Sequence, residues 1–175
     1  MESATNFKRI SNSRLALMLV ETLPPRRIKA EIFFPDSGSR RKLRCYSQVG
    51  RVGGQQMVSL GNGCLYVGTA IHEFGHALGF YHEQSRSDRD EYLIIYLENV
   101  QKGTEFNFNK LSPSQNILYT LFDYGSIMIY GNDAFSKNGQ DTMVAKNGQK
   151  LYNPFDKSSM TKLDIERFNK MYNCY

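Results

Sequence analysis

The sequence predicts an α+β chain, and three observations predict it. Strand-like stretches come first, at residues 28–34 (IKAEIFF) and 55–60 (QQMVSL). A helical stretch, Tyr66 to Leu78, follows them. A second helical stretch closes the chain near Tyr172. Strands followed by helices belong to a segregated architecture rather than an alternating parallel sheet.

Each element has a local reason. In 28–34, Ile28, Ala30, Ile32 and Phe34 fall on one side of an extended chain. Between Cys45 and Cys64 the Gly-rich run VGRVGGQQMVSLGNG reads as a strand bounded by turns. The helix from Tyr66 is closed by Gly79, a residue that takes the left-handed conformation without a Cβ penalty. Residues 84–91 (QSRSDRDE) are a charged loop, and YLIIYLENV is a strand turning into a short helix or turn. Pro154 breaks the loop NPFDKSSM. Thr161 with Asp164 three residues on is a capping signal for the last helix, whose Ile165, Phe168 and Tyr172 recur at helical spacing.

Composition limits the function classes. A chain of 175 residues with 41% hydrophobic residues can bury a core and is no disordered polymer. The net charge of +5 invites a nucleic-acid reading, but the charge is uneven. Ten basic and four acidic residues precede Cys45, while the remainder is nearly balanced. The basic residues lack the regular aromatic interleaving that a nucleic-acid site would need, so nucleic acid is not expected as a partner. No apolar run approaches the ~20 residues of a membrane span. Leu15–Val20 (LALMLV) is too short for a signal core, and ETLPPRR behind it is a poor cleavage region. The three cysteines, Cys45, Cys64 and Cys174, leave one unpaired or joined to another chain. A Cys45–Cys64 bridge would contribute about 3 kcal/mol, and three free thiols is the alternative; spacing leaves both open.

All three histidines of the chain lie in HEFGHALGFYHEQ, residues 72–84. His72 and His76, four apart on a helix, aim at one point. Continued helix would carry His82 about 240° beyond His76, so the path must bend, and Gly79 is where it bends. Three imidazoles converging on one ion suit tetrahedral zinc with a fourth position left for water. Glu73, next to the first histidine, is placed to take a proton from that water rather than to bind the metal.

The spacing H-E-x-x-H-x-x-G-x-x-H is that of the metzincins. Within them, GCLYVGTAIHEFGHALGFYHEQSRSDRDEY, NVQKGTEFNFNK, DYGSIMIYG and CYSQVGRVGGQQMVSLGNGC resemble the astacin-type metalloproteases over about residues 43–174. The resemblance implies a metzincin-like fold with a small N-terminal mixed sheet, an active-site helix and an irregular C-terminal lobe ending in a helix. It implies one zinc per chain on His72, His76 and His82, Glu73 as general base, and Met128 as an apolar floor beneath the metal. Tyr130 would be an extra ligand that swings away to serve the developing oxyanion. Cys45 and Cys64 would be bridged, leaving Cys174 free. Glu83 would engage the amino terminus of the matured enzyme. The substrate would be a polypeptide, and the protein secreted.

Two departures accompany it. Ile129 stands where the family's Met-turn usually has histidine. Residues 1–42 do not resemble the family's N-terminal lobe, so the catalytic domain is expected at 43–175, after an atypical basic segment. The alternative reading is a zinc-holding module that cleaves poorly because that lobe is incomplete.

Overall fold

The computed structural model describes residues 45–53, 56–61 and 63–174. The strand expected at 28–34, the basic segment and the apolar run Leu15–Val20 lie outside the described residues.

Two antiparallel pairs and two helices make up the regular structure among the described residues. β1 (Cys45–Ser47) pairs with β2 (Val58–Leu60), with Cys45 opposite Leu60. The strand expected at 55–60 is shorter than its sequence suggests. Gln56 leaves the ladder to donate through Nε2 to the carbonyl of Gly50 at 2.8 Å, bracing the preceding loop. A Cys45–Cys64 disulfide ties β1 to the chain just past β2, and Cys174 is a free thiol.

Helix α1 (Val67–Ala77) follows at once. It ends where the sequence predicts. Gly79 has φ +104°, and its amide donates to the carbonyl of His76 at 2.8 Å. Gly75 is required for a different reason: a Cβ there would lie 2.5 Å from Met128 Sδ. The bare helix backbone therefore lets the methionine lie directly against it.

The charged loop after α1 contains 3₁₀ turns at Glu83–Ser85 and Arg89–Glu91. β3 (Leu93–Ile95) then pairs with β4 (Met143–Ala145), and a 3₁₀ turn at Leu97–Asn99 follows β3. Leu93, Met143 and Ala145 join Val100, Phe108, Phe122, Ile129 and Leu151 in one apolar core. A second core, Phe80, Ile127 and Met128, lies beneath α1 and is covered by Phe168 and Met171 of the last helix, α2 (Lys162–Tyr172).

Helix α2 begins as its sequence predicts, with Thr161 Oγ1 accepting the Asp164 amide and the Asp164 carboxylate accepting the Thr161 amide. The apolar residues that recur along it are only partly buried. Phe168 packs on Phe80, with ring centroids 4.2 Å apart, but Ile165 and Tyr172 are 46% and 39% exposed. The most deeply buried α2 residues are instead Asp164 and Arg167, at 1% and 6%. A polar face is buried because the loops beneath offer it partners, described next. No helix among the described residues is long and apolar enough to cross a membrane.

Candidate metal centre

Helical spacing places His72 and His76 side by side, and the turn at Gly79 returns His82 to them. His76 Nε2 lies 3.1 Å from His72 Nε2 and 3.0 Å from His82 Nε2. Ligand nitrogens about 2.0–2.1 Å from a tetrahedral zinc stand about 3.3 Å apart. The three nitrogens thus fit one ion of that size.

The opposite ring edges set the tautomers. His72 Nδ1 donates to the carbonyl of Ile127 at 2.8 Å, and His76 Nδ1 donates to that of Phe80 at 2.7 Å. With Nδ1 carrying the hydrogen, the Nε2 lone pairs face inward, which is how backbone carbonyls orient metal-binding imidazoles. Burial keeps these rings neutral. It lowers His72 to about 3, helped by the neighbouring His76, and lowers His76 and His82 as well. Metal binding requires that neutral form.

Glu73 is 5% exposed, and its Oε2 has no hydrogen-bond partner among the described residues. An orphaned buried carboxylate oxygen is costly unless something polar comes to it. Burial raises this carboxyl to about 7. The Tyr130 ring lies 4.3 Å from the His82 ring and 5.9 Å from the His72 ring. Burial first, and Glu73 second, push its phenol up. Met128, 1% exposed, sits under α1 against Gly75.

The Met128 turn is held by residues whose roles are not evident in the sequence. Asp164 accepts the Ser126 hydroxyl at 2.6 Å and the Ile127 amide at 2.8 Å. Lys157 Nζ donates to the carbonyls of Ser126 and Ile129, and burial lowers its ammonium to about 8. In sequence, Asp164 reads only as a helix cap, and Lys157 as a loop charge. Glu83 finds its partners within the described chain: Arg167, Arg86 and the Asp123 amide.

These pKa directions give a stability expectation for the metal-free chain. Below about 6.5 the unfolded chain protonates three imidazoles that the folded chain keeps neutral, down to about 3 for His72. Stability present above 6.5 is therefore lost as pH falls, at up to about 1.4 kcal/mol per pH unit for each ring. Raised Glu73 and Glu83 work in the opposite sense, two groups against three. The urea midpoint should be lower at about pH 5 than at about pH 6.5; a higher one would mean the imidazoles already carry protons in the fold.

The family model for Astacin, a family of peptidases, matches residues 31–173. The chain belongs to the astacin family. It is 83% identical over 64 residues to the astacin-like peptidase p16 of Argiope aurantia, covering 37% of this chain and 62% of that protein. It is 44% identical over 143 residues to zinc metalloproteinase nas-15 of Caenorhabditis elegans, covering 81% of this chain. The chain spans 24% of the length of nas-15. Among solved structures it resembles high choriolytic enzyme 1, a hatching enzyme zinc-protease of the medaka Oryzias latipes. That match has a TM-score of 0.71 and 42% identity, covering 82% of this chain and 69% of the other. The astacin fold is thus an α+β metzincin-like one here, as the sequence predicts. In this astacin, Ile129 is fully buried in the first apolar core, where its side chain needs no polar partner.

Proposed function

We propose that this chain is a zinc-dependent endopeptidase, with His72, His76 and His82 holding one zinc per chain and residues 43–175 forming the catalytic domain. The observation that carries the reading is the convergence of three histidine nitrogens on the helix and turn that also carry Glu73, whose buried Oε2 has no hydrogen-bond partner among the described residues. Zinc, when bound, supplies Lewis acidity that polarises the scissile carbonyl and acidifies a water. Glu73 takes the proton of the attacking water at its free Oε2 and delivers it to the nitrogen of the leaving amine. A carboxyl raised to about 7 suits both acceptance and donation near neutral pH. Tyr130 donates its hydroxyl hydrogen to the oxyanion that develops on the former carbonyl. Met128 keeps an apolar floor under the imidazoles, and Glu83, the residue after His82, fastens the backbone that carries that ligand.

The substrate is a polypeptide, and no nucleic acid takes part. The Cys45–Cys64 bridge supports a secreted protein, because such bridges persist in oxidising compartments.

Casein digestion by the purified chain tests the reading, with zinc counted by elemental analysis. One zinc per chain is expected, with cleavage abolished by a chelator and restored by added zinc. Cleavage that survives metal removal defeats the proposal. One bound zinc without cleavage would instead establish the impaired module.

A further inference from the structure

The three imidazoles are not aimed by the same means. His72 and His76 stand on a helix, and each has its Nδ1 anchored by a backbone carbonyl. His82 lies beyond Gly79 in extended conformation, φ −61° and ψ 144°, and no Nδ1 anchor is found for it among the described residues. Apart from ring packing against Tyr130 and His76, its direction comes from the backbone on which it sits.

That backbone is fastened one residue later. The Glu83 amide donates to the carbonyl of Met128 at 3.0 Å. The Glu83 carboxylate, 1% exposed, receives Arg167 through both terminal nitrogens, Arg86 Nη1 at 3.0 Å and the Asp123 amide at 2.9 Å. The two arginines are themselves held. Arg167 Nε donates to Thr120 Oγ1, and Arg86 spans Asp88 and the carbonyls of Thr120 and Leu121. A bidentate guanidinium fixes direction as well as charge, since two parallel hydrogen bonds leave a carboxylate no freedom to turn. Arg167 reaches Glu83 across 84 residues of chain, from the face of α2 that buries polar rather than apolar groups.

We propose that Arg167, seconded by Arg86, is a positioning residue for the metal centre: by clamping Glu83 it sets the aim of the His82 imidazole. The proposal rests on the reading that the three histidines hold zinc.

The test uses the full chain and three variants: Arg167→Lys, Arg167→Met, and the pair Glu83→Gln with Arg167→Met. Zinc affinity is measured by competition with a chelating dye, the fold by the urea midpoint of the metal-free protein, and turnover on a quenched peptide. Arg167→Met should weaken zinc binding by about 10–100-fold, the usual loss when a group that orients a ligand is removed. Arg167→Lys, with its charge but no fork, should fall between. The paired variant leaves no carboxylate stranded beside a missing partner, so it keeps the fold testable should Arg167→Met not fold. It should bind zinc as weakly as Arg167→Met, with kcat lowered more than KM is changed. A variant with a lower urea midpoint but unaltered zinc affinity shows a merely structural arginine and overturns the proposal. Unmodified chain that binds no zinc overturns the proposed function and this inference together. One zinc bound equally tightly by the unmodified chain and the paired variant overturns this inference alone.

Discussion

Replacing Glu73 by alanine is expected to lower turnover of a peptide substrate by about 10²–10⁴-fold, the usual contribution of a positioned acid–base group. Bound zinc should stay at one per chain. The side chain is 5% exposed and its Oε2 has no hydrogen-bond partner among the described residues, so its removal strands no donor. Its ionised form is disfavoured by burial, which raises the carboxyl to about 7. Removing a buried carboxylate that has no cation beside it relieves the fold rather than injuring it. The metal-free alanine variant should therefore unfold in urea no earlier than the unmodified chain at neutral pH. This pairing of outcomes separates chemistry from folding. Turnover retained within threefold would remove Glu73 from the reaction. Loss of zinc in the variant would make it part of the metal's coordination instead.

Replacing Asp164 by alanine should give the largest loss of stability. Its carboxylate is 1% exposed and accepts the Ser126 hydroxyl, the Ile127 amide and the Thr161 amide. Each hydrogen bond to a charged group is worth about 1.5–3 kcal/mol, and buried donors left without acceptors cost their desolvation. A loss of about 4 kcal/mol follows, read as a lower urea midpoint at unchanged slope. The effect should also reach the metal centre, because the carbonyl of Ile127 receives His72 Nδ1. Zinc affinity of the folded variant should therefore drop too. A stability change below about 1 kcal/mol would show that the Ser126–Met128 turn stands without this carboxylate.

The legible and illegible parts of this protein divide by distance along the chain. His72, His76, Gly79 and His82 can be read together because a helical turn and a left-handed glycine are local geometry. The Thr161–Asp164 cap spans three residues and is equally visible. The pairing of Cys45 with Cys64 follows from resemblance, since spacing alone leaves it open, and the bridge is present. The buried face of α2 is only partly legible: apolar periodicity marks Ile165, Phe168 and Tyr172, of which Phe168 packs on the second core while the other two are exposed. Nothing within a few residues marks Asp164 and Arg167 as inward-facing; their partners, Ile127 and Glu83, are 37 and 84 positions away. The strand at 55–60 looks too long in sequence for a similar reason: Gln56 bonds to a carbonyl of the loop before it, which strand propensity does not reveal.

The polar face of α2 also bears on the timing of assembly. Contacts between distant residues require large loops to close first, and such closures come late and slowly in folding. Glu83 and the Ser126–Met128 turn both await a helix at residues 162–172, so His72 and His82 can acquire their final settings only when that helix docks. A nascent chain that has already emerged through its histidines holds the ligand residues without the scaffold that aligns them. Under the proposed function, a chain in which that helix has not docked would hold its three histidines without the contacts that align them.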